Sequence, residues 1–175
     1  VLATVPHQQS ADVLVRRLAT QHPNMRYEVL KGLGKLRTHY PTLVFGREII
    51  STEICIEAGR FIQLARVGAM LPDRGAAARL LIQAIAETQQ LRLESVFRLL
   101  GLLYPAKDLL NAYHGVMSGR RVLRANAQEF LDTLLVGTHR QLVLSLIDEQ
   151  PANEAWRESL VNLGEEFGQP IRNAA

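Results

Sequence analysis

Two aromatic–histidine pairs, His39-Tyr40 and Tyr113-His114, are the first residues whose types could do chemistry. An imidazole that titrates near neutrality beside a phenol is a usable general acid–base pair. The five histidines are scattered, however, at positions 7, 22, 39, 114 and 139, and no serine or cysteine stands in a recognisable nucleophile elbow. They read instead as helix-end residues near the negative end of a helix dipole, or as surface residues. No His-x3-His or His-Glu-x-x-His spacing occurs, so a metal site lacks its ligand pattern.

Glu48, Glu53 and Glu57 share one helical run. Glu53 and Glu57 are i,i+4 neighbours, whereas Glu48 drifts off their face. Without a Glu-x-x-His partner they do not make a di-metal bundle, and a solvated or interface-facing stripe is the expectation. Cys55 lies between Ile54 and Ile56, with Glu53 and Glu57 nearby. Acidic neighbours disfavour a reactive thiolate, so Cys55 is expected as a buried small residue. As the single cysteine it can form neither an intrachain disulfide nor a cysteine zinc site. No catalytic residue, no cofactor and no metal ligand is expected from these patterns.

Composition describes what must position such residues. The chain has 175 residues, 47% hydrophobic and 21% charged, which is globular rather than disordered. A formal charge of +3, from 20 Lys and Arg against 17 Asp and Glu, is modest for a nucleic-acid binder. The longest apolar run, Leu99 to Tyr104, falls well short of the roughly 20 residues that span a bilayer. The opening "VLATVPHQQSADVLVRR" places its basic pair after the apolar part, unlike a signal peptide, and lacks an initiator Met. The chain, 1–175, is expected to be one domain cut from a longer protein.

Nearly every segment has helical period. "ADVLVRRLATQHP" repeats Val13, Leu14, Leu18 and Ala19. "NMRYEVLKGLGKLRTHYP" places Met25, Val29, Leu33 and Leu36 on one side, and Pro41 closes it. "GREIISTEICIEAGRFIQLARVGAML" and "GAAARLLIQAIAETQQLRLESVFRLLGLLY" are longer amphipathic runs, the second ended by Pro105. Shorter helical segments follow, with Asp108 expected in the first turn of the next helix, where the dipole favours a carboxylate. Sustained alternation and hairpin dipeptides are absent, so the fold class is all-α.

These helices also repeat. Arg26, Arg92, Arg124 and Arg157 follow Met25, Leu91, Leu123 and Trp156, in steps of 66, 32 and 33 residues. The 66 is two periods of 33, which leaves room for a degenerate copy near Arg60. A period in the low thirties suits units of two antiparallel helices stacked into a solenoid. Each arginine is read as opening the second helix of a unit after a turn rich in Pro, Asn, Gly or Gln. Its stem would cover the groove between units and its guanidinium would reach turn carbonyls or an acid of a neighbour.

This hydrophobic-Arg step resembles the HEAT-repeat signature, although the Asp usual in the preceding turn is mostly missing. The resemblance implies a right-handed α-solenoid of about four to five HEAT-like hairpins, with a structural ladder at Arg26, Arg92, Arg124 and Arg157. More narrowly, Val96 to Leu135 and Arg26 to Phe45 resemble the HEAT-like soluble region that follows the membrane domain of bacterial ATP/ADP-translocase-like (nucleotide exchange transporter) proteins. That likeness implies a cytoplasmic module, the soluble part of an inner-membrane protein. The nucleotide-handling residues of that family lie in its membrane helices, so none carries over. The expected function is a non-catalytic scaffold for protein–protein interaction or regulation, its partner another protein or an adjacent domain. The alternative is a HEAT-like DNA glycosylase or other nucleic-acid-binding solenoid, with Lys31 and Lys35 in a cationic groove and Glu57 or Glu94 as its acid. A solenoid handling a tetrapyrrole or a client protein through Cys55 is a third expectation.

Overall fold

Proline and glycine set most of the boundaries in the computed structural model, which describes residues 5–18, 23–72 and 74–148. Among these residues seven helices follow in order: α1 (Val5–Leu18), α2 (Pro23–His39), α3 (Arg47–Met70), α4 (Ala76–Leu103), α5 (Ala106–Met117), α6 (Arg121–Leu134) and α7 (Gly137–Ile147). No strand occurs among the described residues. Pro105 forces Tyr104 into extended geometry (φ −122°, ψ 174°), which ends α4, and then serves as the N-cap of α5. Asp108 lies in the first turn of α5, as its sequence position suggested. Gly119 supplies the left-handed residue (φ 68°) that turns the chain from α5 into α6.

The α3–α4 hairpin is the spine. Glu57 meets Arg92, Phe61 meets Gln89, and Gly68 faces Ile85. Rising numbers on α3 against falling numbers on α4 make the pair antiparallel. The α1–α2 hairpin packs on this spine, α1 against α3 and α2 against α4. Tyr27 meets Glu94, while residues 34 to 39 of α2 share a groove with residues 97 to 101 of α4. These two helices therefore run in the same direction. On the other side α5 packs on α4 and α7 on α3, with α6 lying chiefly against α5 and α7.

The core gathers where the three layers meet. Ile50, Ile54 and Ala58 from α3 are fully buried together with Val96, Leu99 and Leu100 from α4, Leu109 from α5, Leu131 from α6 and Leu142 from α7. Beyond Ile62 and before Leu93 only Ile85 is buried among the described residues, so the far end of the hairpin projects, with Met70 and Leu80 exposed. Loops are tied to this frame by side chains. Gln8 exchanges two hydrogen bonds with the backbone of Val44, at 2.8 and 3.0 Å, and Arg37 donates to the carbonyls of Pro41 and Leu43.

Several sequence expectations change here. The segment Thr88-Gln89-Gln90 is continuous helix, not a turn, so Arg92 lies deep inside α4 instead of opening a helix. No Gly or Pro interrupts this stretch, and its residues are tolerable helix formers. Met25 and Val13 face solvent, and Leu30, Ala11 and Val15 take the core positions instead. The residues before the arginines, Met25, Leu91 and Leu123, are all exposed. Cys55 is half-buried, not sealed.

Candidate functional site: an arginine–glutamate cluster and a basic groove

Glu53 and Glu57, expected on a solvated or interface-facing stripe, lie inside the fold, 3% and 1% exposed. Two carboxylates on adjacent turns inside a core repel each other and lose their water, so they persist only with cationic partners. Arg26, itself buried, provides the first. Its Nη2 donates to Glu53 Oε2 at 2.5 Å and to Glu57 Oε1 at 2.8 Å, and its Nε donates to Glu57 Oε1 at 3.1 Å. Arg60 Nη1 donates to Glu57 Oε1 at 2.9 Å and Arg92 Nη1 to Glu57 Oε2 at 3.1 Å. Burial alone would lower the Arg26 pKa, but hydrogen bonds and attraction from Glu53, followed by those from Glu57, outweigh it and the net shift is upward.

The remaining Arg26 nitrogen, Nη1, donates to the carbonyl of Leu18, the last residue of α1. That carbonyl is one of the acceptors a helix end leaves unsatisfied. Arg124 makes the corresponding contact in the other half of the molecule. Near the start of α6, it donates from Nη2 to the carbonyl of Ile147, the last residue of α7. The Nε of Arg124 is buried and meets no acceptor among the described residues. Arg26 and Arg92 thus meet at one carboxylate, Arg124 caps a different helix, and Arg157 lies outside the described residues with Trp156.

The described histidines are not gathered at one place. His39 ends α2, exposed, with Nδ1 2.8 Å from the Lys35 carbonyl oxygen, and His114 is exposed in the last turn of α5. Tyr113 is buried against Phe97, with ring centroids 5.5 Å apart, and its ring also meets that of exposed His114 at 5.5 Å. The side chain of His7 and all of His22 lie outside the described residues.

His139 departs from the surface or dipole-end expectation: it is 1% exposed and sits near the start of α7. Its Nε2 is 2.9 Å from Ser51 Oγ and its Nδ1 3.0 Å from the Tyr104 hydroxyl. A neutral imidazole donates from one nitrogen and accepts at the other, so two hydroxyls satisfy it and burial becomes tolerable. Serine beside histidine resembles a nucleophile with its base. Ser51 and His139 are sealed from solvent, and their bonds tie α3, α7 and the end of α4 together.

An accessible groove of about 510 Å³ lies between α2, the end of α4 and the start of α5. Lys31, Lys35 and His39 stand along its α2 wall, Arg98 on α4 and Lys107 on α5. Phe97 and Leu110 supply apolar surface, and no carboxylate of the described residues lines it. Arg98 is held by Glu94, whose Oε1 also accepts from the Tyr27 hydroxyl at 2.9 Å. Lys31 is shared with Glu28 and lies 5.4 Å from the Tyr27 ring centre. Lys35 and Lys107 have no ion-pair partner among the described residues.

Sequence reasoning placed Lys31 and Lys35 toward a groove but missed the Glu57 convergence and the Ser51–His139–Tyr104 chain. The first had a legible signal: Glu57 falls between Ile54, Ala58 and Phe61, on the side of the helix that is otherwise apolar. Among the described residues no group of three or more His, Cys, Asp or Glu could hold a metal ion, and no helix is long and apolar enough to cross a membrane. No family model matches the chain, and neither a curated protein nor a solved structure matches it.

Proposed function

We propose that this chain is a non-catalytic scaffold, a right-handed α-solenoid of HEAT-like hairpins that presents a helical surface to a protein partner or to a neighbouring domain. The observation that carries the reading is the side-by-side packing of the first two hairpins, with like helices adjacent and one carboxylate, Glu57, taking arginines from both. Such nearest-neighbour stitching suits a structure that extends by adding hairpins. The histidine most resembling a catalytic base, His139, is spent on structure. The Val96–Leu135 and Arg26–Phe45 resemblances support a cytoplasmic setting as the soluble module of a transporter-like protein.

The groove with Lys35 and Lys107 favours a second reading, a nucleic-acid-binding solenoid of glycosylase type. Its suggested acids, Glu57 and Glu94, are both engaged by arginines, which leaves neither placed to act on a base. Fluorescence anisotropy with labelled duplex DNA at about 20 mM salt separates the two, because phosphate contacts dominate at low salt. The scaffold reading expects no binding. Tight binding with a steep salt slope would replace it with the nucleic-acid reading.

A further inference from the structure

We propose that the groove between α2, α4 and α5 is a docking site for an acidic amphipathic helix of a partner protein. This rests on the scaffold reading and names the chemistry of its partner. Lys31 and His39 are eight residues apart on α2, which at 1.5 Å per residue gives the wall a length of about 12 Å, a little over two helical turns. An extended peptide would want a sheet edge for its backbone groups, and the walls here are helices whose backbone hydrogen bonds are internal. Recognition must therefore run through side chains, the mode in which an amphipathic helix lays its apolar stripe into a groove.

Charge then selects the partner. The cations stand on both walls, Lys35 on α2 and Lys107 on α5, with no lining carboxylate between them. A docked helix with apolar residues toward Phe97 and Leu110 would place Glu or Asp on both flanks of its stripe, within reach of both walls. Cations spread along two walls suit a line of carboxylates better than one compact anion, which wants donors converging on a point. Gly34 keeps the space open. A Cβ built there meets nothing within 4 Å, although glycine inside a helix costs stability. Leu110, 39% exposed, supplies the apolar contact that a fully charged surface would lack.

The test titrates the intact chain with a fluorescein-labelled helical peptide of about 15 residues, Leu and Phe on one face and Glu on both flanks. The same peptide with Lys in place of Glu is the control. At about 50 mM salt the acidic peptide is expected to bind and the basic one not, with affinity falling as salt screens the pairs. The double substitution Lys35→Glu/Lys107→Glu should weaken the acidic peptide about tenfold or more and give the basic peptide measurable affinity. Gly34→Leu, checked by circular dichroism to be folded, should block the groove without changing charge. No binding of the acidic peptide, or equal binding by all three proteins, overturns the docking site and leaves the scaffold reading standing if duplex DNA is also silent. Duplex DNA that binds and is weakened by the same substitutions overturns both.

Discussion

Arg92 Nη1 lies 3.1 Å from Glu57 Oε2, joining the middle of α4 to the middle of α3 across the hairpin. The other oxygen of Glu57 serves Arg26 from α2 and Arg60 from α3 itself. One carboxylate thereby holds donors from three helices, and Arg26 extends the connection to the end of α1.

Removing Arg26 should be the costlier of the two truncations. Arg26→Ala strips Glu53 and Glu57 of their buried cation and leaves the α1 end uncapped, at an expected cost of about 3–5 kcal/mol. Arg92→Ala leaves Arg26 in place at Glu57, and its cost should be about 1–2 kcal/mol. Urea denaturation of both variants checks the order; equal losses would mean that the two arginines contribute alike.

Two glycines should respond to alanine with opposite signs. At Gly115 a Cβ would stand 3.0 Å from Ala127 Cβ and 3.2 Å from the Leu123 carbonyl oxygen, where α5 meets α6. Gly115→Ala should therefore destabilise, by about 1–3 kcal/mol. Gly34→Ala fills open space inside α2 and should stabilise by about 0.5–1 kcal/mol. Thermal melts of the two variants settle the signs.

The buried Ser51–His139–Tyr104 chain predicts coupling between distant positions. Ser51→Ala and Tyr104→Phe should each cost about 1–3 kcal/mol by leaving an imidazole nitrogen unsatisfied. Because both act through His139, the double variant should depart from the sum of the singles. A double-mutant cycle in urea reads the difference, and strict additivity would show that the two bonds are independent.

Burial, and then the hydrogen bond to Glu94, raises the Tyr27 pKa above its ordinary value of 10.0. A group whose folded pKa is raised contributes stability that is complete below the unfolded value and is lost as pH rises through the folded one. The chain should accordingly weaken above pH 10.0, and Tyr27→Phe should weaken less over the same range. Denaturation midpoints measured on either side of that pH compare the two slopes.

The sequence carried the helical fold because its punctuation is local. Pro41 and Pro105 stop helices wherever they stand, and the leucines that close α4, Leu99, Leu100 and Leu102, are buried as an apolar run at a helix end is whatever its partner. A few dozen residues of separation are enough to hide a contact. Glu57 is 31 residues from Arg26, and Ser51 is 88 from His139. The apolar side of α3 on which Glu57 falls signals burial, but nothing local says which helices supply its arginines. The turn expected before Arg92 failed for a related reason. The arginine spacing suggested a boundary where the local sequence, free of Gly and Pro, supports continuous helix.

The central claim is that the hairpins form a stacked array held by neighbour contacts, and native-state hydrogen exchange in increasing urea tests it most directly. In an array, neighbouring units open separately. Amides of α1 to α4, stitched at Glu57, should keep their protection at urea concentrations where α5 to α7 already exchange. Loss of protection by all seven helices at one urea concentration would contradict the account and describe a single closed bundle.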